Sequence, residues 1–542
     1  MRPTLLFAAH VTHQSPKKHP DQSRACPGPS QHGRSGLVAR DPQGARAEIP
    51  HAEGDEHKAQ SEEEWLQAVH VCGKNIPPGE NPVATSPPLA YSAHLKPLES
   101  LMRLALMLGG AAGAMLLCAT PARAQELVAV RAGRLVDVER GEVLRDRLIL
   151  IRGDKIASVE PWPAKPPASA RVVDLSRATV APGLIDCHTH LVGDVQSADE
   201  LVYIKRSAAQ DIMLGVQHAR ATLLAGFTSV RDVGTYRAFV DVALRDAIND
   251  GTVIGPRMAV AGAYITVTTG GGELTGMAPD VTLPPEYRMG VANSVDEVRE
   301  KVRVLIHGGA DLIKVIATGA VLTRGTNPGA PEFTEAEIHA AVDEASKYGV
   351  FVAAHAHGAE GIKAAVRAGV RSIEHGSLID DEGIRLMAEK GTYLVADIYN
   401  GDYIATVGKQ EGWPAEILRK NDETTEAQRQ GFRKAVSAGV KIAFGTDAGV
   451  YPHGDNARQL PYMVRWGMTP MQAVQSATIV AARLIGWDER VGSIAPGKYA
   501  DLVAVEGDAL ANLESFSKVT FVMKNGVIYK TGGQPVGRAV AE

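Results

Sequence analysis

Outside its first hundred residues the chain carries nine histidines, and five of them stand where short apolar runs end. His188 and His190 close "GLIDCHTHL", His355 and His357 close "VFVAAHAHG", and His375 lies in "RSIEHGS". Two further run ends carry ionisable groups: Lys314 in "DLIKVIATG" and Asp447 in "KIAFGTDAG". Neutral imidazoles and carboxylates are ligands for Zn²⁺ and similar divalent ions. In a strand, residues two apart face the same side, so each His-x-His pair offers both rings to one space. Taken singly, each residue has a plain explanation: a structural histidine pair, a satisfied core histidine at 375, a turn aspartate at 447. Their shared position at run ends favours one common site.

Lys314 needs a separate account, because an ammonium ion inside an apolar run is costly unless it is paired or solvated. Nearby cations would make it costlier. Addition of CO₂ to the amine removes the conflict, since the resulting carbamate is an anion able to bridge two cations. The alternative is a lysine that extends to water or pairs with Asp311 or Asp232.

These residues require elements that hold them at one level. Residues 181–490 contain eight apolar runs, among them "TSVRDVG", "RMAVAG" and "TYLVADIY", separated by amphipathic stretches. Ser294 with Glu297 and Thr334 with Glu337 fit capping boxes, and Thr469-Pro470 fits an N-cap followed by proline in the first turn. Eight strands each followed by a helix predict an α/β fold, a (β/α)8 TIM-like barrel, whose chemistry sits at the C-terminal strand ends. An open doubly wound sheet would need a glycine-rich turn after the first strand, and none is present. Alternating strand patterns at 125–180 and again at 491–537 predict a small β-sandwich domain built from both flanks of the barrel.

The remaining sequence sets bounds. The chain has 542 residues, 45% of them hydrophobic, and a net charge of −5, enough for a large core. No basic block points to nucleic acid. Residues 1–101 hold 8 of the 17 histidines and 13 of the 31 prolines without an apolar period, which predicts a disordered or non-native upstream extension. Residues 102–124, "MRLALMLGGAAGAMLLCATPARA", have the pattern of a signal peptide. An internal membrane helix is the other reading, but the run falls short of the ~20 residues a span requires. The expectation is therefore a periplasmic or secreted protein, free of the membrane after cleavage. Cys187 is then the one cysteine left, and alternation turns it away from His188 into the core.

The set "DCHTH", "LIKVIATG", "AAHAHG", "IEHGS" and "FGTDAG", with "GSIAPGKYADLVAV" after it, resembles the metal-dependent amidohydrolase superfamily in its binuclear, carboxylated-lysine form. Within it the chain is similar to the imidazolonepropionase-like branch that holds Xaa-Pro dipeptidases, carboxypeptidase-type dipeptidases and ochratoxin-degrading amidohydrolases. Lys314 speaks against imidazolonepropionase activity itself. The resemblance implies that His188, His190 and Asp447 hold the more buried of two divalent metal ions, zinc above all. It implies His355 and His375 for the other, with N6-carboxylysine at 314 bridging both. Relatives of this kind form homo-oligomers, some of them octamers. The glycine-rich "TVTTGGGELTG" lacks a histidine that family members often carry there.

The chemistry so implied is hydrolysis of a small-molecule amide or peptide substrate by a hydroxide shared between the two ions. Asp447 takes its proton and delivers it to the leaving nitrogen. His357 either contacts substrate or supports the other histidines. Tyr264, Arg324, Tyr399 and His453 follow strands three, four, seven and eight and are candidate substrate contacts, Arg324 for a carboxylate. Dipeptides or N-acyl amino acids, ochratoxin A included, are the expected substrates. A cyclic amidase or lactonase on the same metals is the alternative, and a non-catalytic metal-binding protein is a third.

Overall fold

A computed structural model of the protein describes residues 126–162, 165–193 and 201–536. The expected extension at 1–101 and signal peptide at 102–124 lie outside the described residues.

The chain opens with β1 (Leu127–Asp137), β2 (Glu142–Arg152), β3 (Lys155–Pro161) and β4 (Arg171–Pro182). The middle supplies β5 (Leu184–Thr189), β6 (Phe227–Asp232), β7 (Arg257–Val260), β8 (Tyr264–Ile265), β9 (Leu312–Ile316), β10 (Phe351–Gly358), β11 (Ser372–Leu378) and β12 (Tyr393–Val395). The C-terminal flank adds β13 (Leu502–Glu506), β14 (Phe521–Lys524), β15 (Val527–Thr531) and β16 (Gln534–Pro535).

Both flanks enter one eight-stranded sheet of order β16-β15-β14-β13-β4-β1-β2-β3, joined where β13 runs antiparallel to β4. Two separate sheets would make the sandwich expected from the sequence. The hydrogen bonding instead makes one sheet that curls, because a bridge between Lys155 and Tyr499 draws the β3 edge back towards β13. Val130, Ile149, Ile151, Leu502 and Phe521 fill the space inside the curl.

The middle strands form β5-β6-β7 and β12-β11-β10-β9-β8, every pair parallel. Their residues are almost all buried, which is why they read as unbroken apolar runs. The third run is split: Gly262, at φ 77°, lets the chain jog so that β7 pairs with β6 and β8 with β9. The eighth run makes no ladder. It is held by single bridges, Ile442 to Leu394 and Ala448 to Thr189, and by the Cys187 amide donating to Phe444 O at 2.9 Å. Its amides go to different partners, that of Phe444 to Ser476 O at 3.0 Å and that of Asp447 to His188 O at 2.8 Å, so no regular ladder builds up.

Helices α1 (Ala208–Leu224), α2 (Val240–Asn249), α3 (Val295–His307), α4 (Glu335–Ser346), α5 (Ala359–Ala368), α6 (Asp381–Lys390) and α7 (Ala415–Ser437) alternate with these strands. Thr334 and Glu337 form the expected capping box, and Thr469 forms one with Gln472. Ser294 caps α3 through the Glu297 amide, while the Glu297 carboxylate reaches the Asn293 amide at 2.6 Å. Apolar helix faces pack on the strands in one large core, where Phe227 and Phe444 stack with centroids 5.5 Å apart. Burying such a ring contributes roughly 1.5–3 kcal/mol. Among the described residues no helix is long and apolar enough to cross a membrane.

Candidate active site

The parallel strands deliver their C-terminal ends to one cavity that opens to solvent. His188, His190, Lys314, His355, His357, His375 and Asp447 all line it. The His188 ring lies 5.4 Å from that of His190 and 4.8 Å from that of His375, centroid to centroid. His355 is 4.6 Å from both His357 and His375. One Asp447 oxygen lies 3.4 Å from His188 Nε2 and 3.2 Å from His190 Nε2.

Three sets of donor atoms each lie within 4.8 Å of one another: His188, His190 and Asp447; His355, His357 and His375; and His375, Asp397 and Asp447. The second set includes His357, and the third includes Asp397, which the sequence reading did not single out. His375 and Asp447 both hold positive φ, 69° and 57°. Such backbone costs of order 1–3 kcal/mol for a non-glycine residue and persists where surroundings over-determine it, as at functional sites.

Each ring has one nitrogen tied to the protein, which fixes its orientation. His188 Nδ1 meets Glu374 Oε2 at 2.9 Å, His190 Nδ1 meets Gly234 O at 2.9 Å, His357 Nδ1 meets Ser377 Oγ at 2.8 Å, and His375 Nδ1 meets Asp397 Oδ1 at 3.0 Å. His355 is tied through Nε2 to Gly319 O at 3.3 Å. The other nitrogen of each ring stays available, the arrangement that metal-ligating histidines use.

Behind these contacts stands a buried network. Glu374 Oε1 accepts from Arg231 at 2.7 Å and from Ser372 Oγ at 2.5 Å. Asp397 also accepts from Gln428 at 2.8 Å and Asn400 at 3.0 Å, and Asn400 reaches Asp447 Oδ2 at 3.2 Å. Glu374, Asp397, Asn400 and Gln428 were missed in the sequence. Asp397 ends the seventh run, so the strand-end rule could have found it.

Electrostatics agree with the geometry at three of the rings, whereas at His190 burial is outweighed by the Asp447 carboxylate, which raises it above the ordinary histidine range. Burial, then the charge of Lys314, holds His188 well below the ordinary histidine range; burial and then His375 do the same for His355 and His357. Rings kept neutral keep their lone pairs. Burial opposes charge on Asp397, yet the adjoining His375 and its hydrogen bonds hold it below the carboxylate range. Burial also lowers Lys314 to about 8. Its ammonium makes no hydrogen bond or ion pair among the described residues, although the side chain is 1% exposed. Asp311 is engaged by Arg245 at 2.7 Å and Asp232 by the Leu191 amide at 2.6 Å, so neither serves Lys314. A buried amine without a hydrogen-bonding partner, beside the neutral rings of His188, His355 and His357, suits chemistry that removes its positive charge.

The proposed substrate contacts separate. Tyr264 lines the cavity, its hydroxyl 3.2 Å from His190 Nδ1. Arg324, Tyr399 and His453 are not among the lining residues. Arg324 is exposed on the loop after β9, Tyr399 packs edge-on to Tyr451 and Tyr462, and His453 stacks on His218. The cavity is also lined by the apolar Ile316, Leu322, Ile404 and Val450 and by the polar Asn421, Thr425 and Gln428. Cys187 is buried in an apolar cluster with Val395 and Leu484, and burial raises its thiol far above the ordinary range.

Parallel strands thus bring a histidine, aspartate and lysine cluster into one cleft, with a donor set suited to divalent ions. The chain belongs to the amidohydrolase family, whose model matches residues 179–529. Ochratoxinase of Aspergillus niger is 34% identical over 427 residues, 74% of this chain and 87% of that protein. A crystal structure of a Xaa-Pro dipeptidase with methionine in its active site is 40% identical, with a TM-score of 0.71, covering 75% of this chain and 100% of that one. A prolidase complexed with N-methylphosphonate-L-proline is 30% identical, with a TM-score of 0.69, covering 75% of this chain and 100% of that one. The protein is therefore a hydrolase acting on amide bonds of small molecules, in a family that is generally metal-dependent.

Proposed function

We propose that the protein is a binuclear metal-dependent amidohydrolase cleaving the amide bond of dipeptides or N-acyl amino acids, ochratoxin A among them. The observation that carries this is the convergence of His188, His190, His355, His375, Lys314 and Asp447 on one cavity, each ring anchored through its second nitrogen. His188, His190 and Asp447 would hold one zinc ion and His355 and His375 the other, with carboxylated Lys314 shared. When bound, such ions supply Lewis acidity that polarises a carbonyl and lowers the pKa of water.

The chain's own residues prepare the rest. A lysine at about 8 instead of 10.5 has about 300 times more free amine near neutrality, and free amine is the form that adds CO₂. The addition forms an N–C bond and releases one proton to solvent. Asp447, fixed by Asn400 and strained backbone, moves a proton from the attacking water to the leaving nitrogen. Tyr264 and His357 line the space where the acyl group is held.

The same reading extends to the chain as a whole. The eight runs of 181–490 close a (β/α)8 barrel, with the eighth run bridging β12 to β5, and the flanks form the accompanying β domain. The mature enzyme is exported, is free of the membrane and assembles as a homo-oligomer. A screen of purified protein against dipeptides and N-acyl amino acids varied at the C-terminal residue, ochratoxin A included, tests the activity. Hydrolysis of lactones or cyclic amides alone would refute it in favour of the alternative.

A further inference from the structure

Asn400 follows β12 and begins the short helix Asn400–Tyr403. It is 5% exposed and lines the cavity. Its Nδ2 is committed twice, to Asp397 Oδ2 at 3.0 Å and to Asp447 Oδ2 at 3.2 Å. Two carboxylates fix which end of the amide faces them, because the reversed amide would set oxygen against oxygen. The orientation leaves Asn400 Oδ1 as a buried acceptor with no hydrogen-bond partner among the described residues. Buried polar atoms are nearly always paired, so an orphan beside a reaction centre needs a donor from elsewhere.

We infer that Asn400 is a specificity-determining residue that accepts a hydrogen bond from the N–H of the scissile amide. The inference rests on the amide-hydrolase reading of this site. The neighbouring Asp447 serves the leaving nitrogen in that reading, so the substrate N–H is the donor that arrives beside Asn400. Substrates whose scissile nitrogen bears a hydrogen satisfy the orphan oxygen. N-methyl amides and bonds to proline, whose nitrogen bears none, leave the buried oxygen unpaired. Sites built to pair with a substrate donor reject analogues that lack it far more strongly than sites built on shape alone. The enzyme is thereby selective for secondary amides.

The test compares N-benzoyl-leucine with N-benzoyl-N-methyl-leucine on the metal-loaded wild type. The expected result is a kcat/KM at least about tenfold higher for the secondary amide. The Asn400→Ser variant should bring the ratio to within about threefold of unity, whatever its absolute rate. A size-matched inhibitor pair serves as control, a phosphonamidate with N–H and its phosphinate with CH₂ at the same position, read by calorimetry. The phosphonamidate should bind at least about tenfold tighter to wild type and lose that advantage in Asn400→Ser. Equal kcat/KM for both amides, or an advantage that survives the substitution, overturns the inference while leaving amide hydrolysis standing. Failure of wild type to hydrolyse either amide or bind either inhibitor overturns the hydrolase reading and this inference with it.

Discussion

Replacing Glu374 by Gln should disarm the site without touching any residue that lines it. Glu374 is 0% exposed; one oxygen serves Arg231 and Ser372, and the other meets His188 Nδ1 at 2.9 Å. Arg231 and Ser372 are donors, so a glutamine must turn its oxygen towards them. Its NH₂ group then faces His188 Nδ1, which has to accept. The ring proton moves to Nε2, the nitrogen 3.4 Å from Asp447 that the cluster requires free. Loss of such an outer contact costs 10–100-fold in metal affinity. The Arg231 guanidinium also loses its buried counter-charge, for which ~3 kcal/mol is the low end of the usual range. Competition against a chelator gives the affinity, and denaturant unfolding of the metal-free protein gives the stability. Ser372→Ala, which keeps the charge, should affect both far less. Metal affinity in Glu374→Gln within twofold of wild type would refute the assignment of His188 Nε2 as a ligand atom.

Other consequences are as direct. Asp447→Asn should lower kcat by about 10³-fold with unfolding unchanged, since it removes a proton carrier and retains the shape; near wild-type turnover would refute the role. In the metal-free protein, Lys314 loses its proton near pH 8 when folded and near 10.5 when unfolded. The unfolded chain therefore binds more protons between those values, and stability should rise by ~3 kcal/mol from pH 8 to 10.5. Lys314→Met should remove that rise, and a slope unchanged in the variant would show that other groups cause it. Thr334→Ala removes one half of a reciprocal cap on α4 and should cost ~1 kcal/mol in denaturant unfolding, with kcat unchanged.

The cluster that lines the cavity was legible because its histidines and Asp447 stand at or near the ends of apolar runs and Lys314 interrupts one. What supports the cluster was not. Glu374 adjoins His375 in sequence, but its side chain reaches across to His188, and no local pattern announces a contact spanning 186 positions. Asn400 and Gln428 belong to helical segments that fold over the cavity, and their partners are fixed only in three dimensions. Arg324 illustrates the converse: it is close in sequence to Lys314 and has the chemistry of a carboxylate anchor, yet it is exposed and does not line the cavity. The eighth run has the apolar character of a strand, but its backbone groups are divided among several neighbours and it makes only isolated bridges. The curled sheet was foreshadowed by similar patterns at both flanks, while its continuity depended on the β4–β13 pairing.

The central claim is that two divalent ions sit among these side chains with Lys314 between them. Elemental analysis of the purified protein, exchanged into metal-free buffer containing bicarbonate, measures this directly. Two equivalents per chain are expected in wild type, falling to one or fewer in Lys314→Ala. One equivalent or none in the wild type, or two retained without the lysine, would contradict the account.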